Sequence, residues 1–293
     1  MSKYIFIDNW VLGRLSNDEF YDSLVNYIMS NDLVVVLNSL SLTELYNPNW
    51  QDGDRAEIAV EFYSILPCVI VDPAKVKQEE VDNNLNKLEK LPIAMDLRNV
   101  EKSERKLLLL DALRGGDLAI EQGINIPEWD KSYQKEKSEW LGNVNKIIAN
   151  AIKNGTLKKG KKPRKKKDPV EKETFLLSLD MREVISSKFD LVFKYRLAKR
   201  NCTDPNSGVR FTSLLFWHLY IDEDPSNKIK HGGSDIGDIH QMSLIPYCDI
   251  FTLDKAMFRL VSKVKGDCNP LNCRILTKNT LETEIHSFCN KIT

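Results

Sequence analysis

Tyr4-Ile5-Phe6-Ile7-Asp8 opens the chain with a short, β-prone apolar run that ends on an acid. A continuous run, rather than an alternating one, is what a strand covered on both faces requires. Leu33-Val34-Val35-Val36-Leu37 and Cys68-Val69-Ile70-Val71 repeat the pattern. Between the first two, Asn17-Asp18-Glu19 offers a helix start, and Phe20, Leu24, Tyr27 and Ile28 fall at helical spacing. Ser41-Leu42-Thr43-Glu44 reads as a capping box opening a short helix that Pro48 ends, and residues 56–66 read as a further helix. Strand, helix, strand, helix, strand predicts a parallel sheet with right-handed crossovers.

Beyond Asp72-Pro73 the pattern changes. Residues 76–91, 101–121, 133–152, 170–200 and 209–221 read as helices, rich in Lys and Glu at helical offsets and almost without strand signal. The α/β rhythm then returns, with a helix at 234–245, strands at 250–253 and 274–276, and helices at 255–264 and 281–290. The expected fold is α/β: a three-layer α/β/α arrangement with a central parallel sheet, built from residues 1–74 and 225–293. A large helical insertion, residues 75–224, interrupts it.

At 293 residues, 42% hydrophobic and 29% charged, the chain has the makings of a sizeable core, which excludes a disordered chain, a collagen-like fibre and a coiled-coil rod. No apolar run approaches the roughly 20 residues that span a bilayer, and the N-terminal run is too short for a signal peptide. A soluble, cytoplasmic protein with no membrane partner is expected. Six cysteines are spread without a Cys-x-x-Cys pair or zinc-finger histidines, so they read as reduced thiols.

Equal numbers of basic and acidic side chains, 42 of each, conceal an asymmetry. Lys153 to Lys167 carries nine basic residues and no acid, which leaves 33 basic against 42 acidic elsewhere. Lys158, Lys159, Lys161, Lys162, Arg164, Lys165, Lys166 and Lys167 form the dense part of this run. Like charges repel and little apolar surface is available, so a solvated loop is expected. Its readings are a loop that contacts nucleic-acid phosphates, a solubilising loop without a partner, or a nuclear address.

In open parallel sheets ligands bind beyond the carboxyl ends of the strands. Asp8 follows the first strand, Glu44 follows the second, and Asp254 follows Ile250-Phe251-Thr252-Leu253. The helix before that strand starts Ser234-Asp235-Ile236-Gly237-Asp238-Ile239-His240, which sets Asp235 and Asp238 one turn apart. Each acid alone could serve a local role as a cap or a helix-dipole charge. Together they fall at one predicted edge of one sheet. Two bare carboxylates about 4 Å apart repel by roughly 4 kcal/mol at an effective dielectric of about 20, so such a cluster calls for a cation. Hard oxygen donors without a histidine cage suit Mg²⁺ or Mn²⁺ better than zinc.

These segments, Ile5-Phe6-Ile7-Asp8, Ser41-Leu42-Thr43-Glu44-Leu45, and Asp238-Ile239-His240 through Cys248-Asp249-Ile250-Phe251-Thr252-Leu253-Asp254, resemble the PIN-domain nuclease family. The resemblance covers residues 1–72 and 232–290. It implies a metal-dependent nuclease that cleaves RNA, less often DNA, and leaves a 3′-hydroxyl and a 5′-phosphate. Asp8, Glu44, Asp238 and Asp254 match the family's acidic positions, and so would be the catalytic and metal-holding set. Thr252 matches its hydroxyl-bearing position, and Asp235 is an auxiliary acid. His240, two residues after Asp238, reads as an auxiliary near the phosphate or a satisfied histidine.

The family often carries a small polar residue where this chain has Trp10. The insertion is large for toxin-type members, which points to a specialised nuclease, with a regulatory protein partner expected at the insertion. Two other readings stay open. One is a catalytically inactive protein of the same fold that binds nucleic acid or serves as a scaffold. The other is a haloacid-dehalogenase-type phosphohydrolase, which needs a second Asp where Trp10 stands.

Overall fold

The computed structural model describes residues 2–46, 55–83, 86–153, 207–217, 234–264 and 272–292. Along them run β1 (Lys3–Phe6), α1 (Asn9–Leu12), α2 (Asp18–Ser30), β2 (Leu33–Asn38), α3 (Ser39–Leu45), α4 (Arg55–Ile65) and β3 (Cys68–Val71). Then come α5 (Pro73–Asp82), β4 (Met95–Asp96), α6 (Lys102–Arg114), α7 (Asp117–Glu121) and α8 (Ile126–Lys153). The remainder is α9 (Gly208–Trp217), α10 (Ser234–Gln241), a 3₁₀ turn (Met242–Tyr247), β5 (Ile250–Thr252), α11 (Lys255–Val264), β6 (Arg274–Leu276) and α12 (Lys278–Ile292).

The strands form one sheet in the order β4-β3-β2-β1-β5-β6, and the protein is an α/β fold. Phe6 pairs with Val36 on one side and Phe251 on the other, both in parallel. β3 and β6 extend the parallel run outward. The sheet is not wholly parallel, as the sequence had suggested: Met95 and Asp96 pair antiparallel with β3. The helix expected over 76–91 ends at Asp82, and the chain returns along the sheet edge as this two-residue strand.

Alternate strand residues face opposite sides, because side chains in a strand repeat every two positions. Ile5, Val35, Cys68 and Ile70 join one apolar cluster, with Leu24 and Ile28 of α2, Phe62 of α4, and Leu281 and Ile285 of α12. Phe6, Val36, Val69, Val71 and Phe251 join the other, with Leu244 and Ile245 of the 3₁₀ turn and Leu260 and Val261 of α11. The Phe6 and Phe251 rings stack at 4.2 Å. Each fully buried side chain of this size contributes roughly 1.5–3 kcal/mol. Continuous apolar strands are thus explained by helices on both faces.

The connections change face at the centre of the sheet. α2 and α4, which link β1, β2 and β3, cover one face, and α11, which links β5 to β6, covers the other. Between β1 and β5 lies a topological switch point, where the strand ends open a crevice.

The residues read as an insertion feed both clusters. Leu108, Leu109, Ala112 and Leu113 of α6 and Ile126 of α8 belong to the first; Val76 of α5 and Phe211 and Leu215 of α9 belong to the second. Arg105, 6% exposed, ties α6 to the end of α4 by donating to the carbonyls of Ser64, Leu66 and Val100. The helix expected over 101–121 breaks at Gly115, whose φ of 72° ends α6 in the left-handed region that glycine tolerates. A Cβ there would meet Pro127 of α8 at 2.8 Å, so the same glycine lets α8 approach. α8 starts at Ile126, one to two turns earlier than expected.

Among the described residues no helix is long and apolar enough to cross a membrane, and Cys68, Cys248, Cys273 and Cys289 are free thiols. The basic run from Lys158 to Lys167 and the helix expected over 170–200 lie outside the described residues.

Candidate functional site

β1 delivers Asp8 to the crevice. Ile7 is buried, and Asp8 then caps α1, its carboxylate accepting from the Asn9 N–H at 2.7 Å. The backbone N–H of Asp8 donates to Thr252 Oγ1 at 2.7 Å. Thr252 is fully buried at the last position of β5, so this bond clamps the exits of the two central strands together. Two residues later the exposed Asp254 accepts from the Met257 N–H at 2.7 Å, the bond of a helix N-cap, and starts α11.

Glu44 reaches the same edge by a different route. The sequence predicts a capping box beginning at Ser41, but the cap of α3 is Asn38, whose Oδ1 accepts from the Ser41 N–H at 2.7 Å. The strand runs directly into the helix, with Asn38 ending one and capping the other. Glu44 therefore falls in the last turn rather than the first and has no capping duty. It is exposed and accepts from Asn9 Nδ2, so Asn9 bridges the Asp8 and Glu44 segments.

The electrostatics follow from this gathering. The Asp8 carboxyl is pushed up from 3.8 to about 7, first by burial and then by the like charges of Asp254 and Glu44. The N–H groups of Asn9 and Asp254 oppose the shift by favouring the ionised form. Three acids from the ends of β1, α3 and β5 are thus brought together around Asp8.

Asp238 stands half-buried on α10, the helix leading to β5 through the 3₁₀ turn, and Asp235 lies one turn before it. α10 is fastened to α5 by a contact between Lys77 Nζ and His240 Nδ1, and Ser243 Oγ donates to the His240 carbonyl at 2.9 Å. Burial and the Lys77 charge hold the His240 pKa well below the ordinary value, so the ring is neutral and accepts from the ammonium. His240 is thereby occupied in joining two helices.

One turn beyond Lys77 on α5, the fully buried Glu80 accepts from the N–H groups of Gly208 and Val209, each at 2.8 Å, and from the Tyr247 hydroxyl at 2.6 Å. It caps α9. Sequence reasoning missed Asn9, Lys77 and Glu80. Asn9 could have been suspected from its place beside Asp8, whereas Lys77 and Glu80 look like ordinary solvated helix charges.

Donor type fits a hard dication, since the gathered atoms are carboxylate oxygens, one of them on a half-buried acid raised by desolvation and by its neighbours. Ligating geometry is a separate matter: among the described residues no group of three His, Cys, Asp or Glu side chains is close enough to hold a metal ion. Asp8, Asp254 and Glu44 instead turn to Asn9 and Met257 donors.

Comparison of the chain with family models, with curated proteins and with solved structures gave no match.

Proposed function

We propose that the protein is a divalent-metal-dependent endonuclease acting on nucleic acid, RNA in preference to DNA. The observation that carries this reading is the gathering of Asp8, Glu44 and Asp254 at the switch point, with the Asp8 carboxyl raised to about 7 by burial and by its neighbours. Like charges crowded around a half-buried acid repel one another, and a cation relieves that repulsion.

Asp8, Asp254, Glu44 and Asp238 would hold Mg²⁺ or Mn²⁺, with Asp235 auxiliary. Such an ion supplies Lewis-acid polarisation of the phosphodiester and lowers the pKa of water for in-line attack. The chain's own contribution is orientation. Thr252 sets the Asp8 backbone, Asn9 holds Glu44 near Asp8, and the Lys77–His240 contact sets the helix carrying Asp238. Asp8 must shed its proton before it can serve as an oxygen ligand, and its raised pKa makes that loss harder near neutrality than for an ordinary carboxyl, so binding of a cation would release a proton. The basic run from Lys158 to Lys167 would contact phosphates, which positions a strand without reading its sequence.

Purified protein with Mn²⁺ is expected to cut single-stranded or structured RNA internally. The double variant Asp8→Asn, Asp238→Asn is expected to lose cutting without any lowering of its melting temperature. Equal activity in the double variant ends the assignment. Metal titration separates the inactive-scaffold reading: a nuclease gains thermal stability with Mn²⁺ as RT ln(1 + [M]/Kd), and a scaffold does not.

A further inference from the structure

The chain passes from Asp238 on α10 through the 3₁₀ turn to β5 and Asp254, and α5 packs along this stretch. β5 is locked in place by its ladders to β1 and β6. α10 has no ladder, and it is only eight residues long. Apolar packing, here through the fully buried Ile239, has no direction, so it sets neither the rotation nor the slide of so short a helix.

α5 holds the stretch at two points. Lys77, 5% exposed, contacts Nδ1 of His240 in the last turn of α10. Glu80, one turn further along α5, accepts from the hydroxyl of Tyr247, the last residue of the 3₁₀ turn, at 2.6 Å. Between these points α9 closes on the turn: a Cβ added at Gly208 would stand 2.3 Å from the Ser243 carbonyl oxygen. The N–H of Gly208 donates to Glu80, and Ser243 Oγ donates to the His240 carbonyl. Lysine and glutamate are seldom buried, and apolar residues of similar volume often join helices with equal or greater stability. What directional bonds add is distance and angle. Lys77 and Glu80 are spaced by one rigid helix, so His240 and Tyr247 are spaced by it too.

We propose that Lys77 and Glu80 are positioning residues of the carboxylate site, a two-point clamp that fixes α10, and with it Asp238, against the β5 exit where Thr252 and Asp254 lie. This rests on the endonuclease reading for the cation that Asp238 and Asp254 would share. Both residues act through His240 and Tyr247 rather than on the ion. Loss of such outer partners typically weakens metal affinity about 10–100-fold.

The test uses the full chain. Backbone hydrogen exchange, read by mass spectrometry without metal, compares residues 236–248 with residues 33–38 of β2, and Mn²⁺ affinity is measured by calorimetry. Lys77→Met keeps the stem without the ammonium, and Glu80→Gln keeps the shape without the charge. Each is expected to speed exchange over 236–248 while leaving 33–38 unchanged, and to weaken Mn²⁺ binding about tenfold. Gly208→Ala presses on the Ser243 carbonyl without removing a charge and is expected to do the same, which keeps the test valid if either other variant folds poorly.

Unchanged exchange over 236–248 overturns the proposal, as does an equal rise over 33–38, which is mere loss of stability. Mn²⁺ affinity and RNA cleavage kept in full by all three variants overturn it as well, and leave the endonuclease reading standing. A wild-type chain that binds no Mn²⁺ sinks the endonuclease reading, and the setting of α10 by α5 then stands or falls on the exchange alone.

Discussion

Asp8 combines a backbone duty with an electrostatic load. Its carboxylate caps α1, its N–H is held by Thr252, and its acid form is favoured by burial and by two neighbouring carboxylates. The folded pKa of about 7 lies above the ordinary 3.8, so the folded state binds the proton more tightly than the unfolded chain. The stability this provides is fully present below pH ~4 and is lost as the pH rises through about 7, an effect of up to about 4 kcal/mol. Asp8→Asn keeps the shape without the charge. In chelator-treated buffer the variant is expected to melt higher than wild type at pH 8 and at a similar temperature at pH 4. Parallel melting profiles for the two proteins would show that Asp8 does not carry the shift.

At the scale of elements, side chains that look solvated in the sequence turn out to join one helix to another. Glu80 is the strongest case: one buried carboxylate satisfies two helix N-terminal amides of α9 and the Tyr247 hydroxyl before β5. Removing it strands buried donors, each at a penalty of about 1–3 kcal/mol. Glu80→Ala is expected to lower unfolding free energy in urea by about 3 kcal/mol with the m-value unchanged, and Glu80→Gln by less. Loss below about 0.5 kcal/mol in the alanine variant would mean the clamp is not a net contributor. Arg105 does the comparable work between α6 and α4, donating to four backbone carbonyls, those of Ser64, Leu66, Arg98 and Val100.

For the molecule as a whole, the helices between β3 and β5 are structural partners of the sheet. α6 and α8 complete one apolar cluster, while α5 and α9 complete the other. A chain lacking residues 75–230 would expose both faces of strands that are continuously apolar. It is expected to lack a cooperative thermal transition by circular dichroism. A soluble, cooperatively melting truncation would show instead that the sheet and its own crossover helices suffice. The same arrangement sets α5 and α9 against the stretch that leads from Asp238 to β5, so changes in this segment bear on the site as well as on stability.

Much of this was legible in the residues themselves. Continuous apolar runs such as Leu33–Leu37 force strands buried on both sides, and the acids just past them must then lie along one sheet edge, because strand ends are where parallel sheets leave room. Local spacing determined that much about β1, β2, β3, β5 and β6 and about Asp8 and Asp254. Only the tertiary structure decided the rest. Two-residue β4 has too few positions for a period, and the cap of α3 moved from Ser41 to Asn38 because the strand feeds straight into the helix. The burial of Lys77 and Glu80, and the close approach of Gly208 to Ser243, depend on which helices meet across long sequence distances. Charge and periodicity within one helix carry no record of its neighbour, so those contacts exist only once the chain has folded.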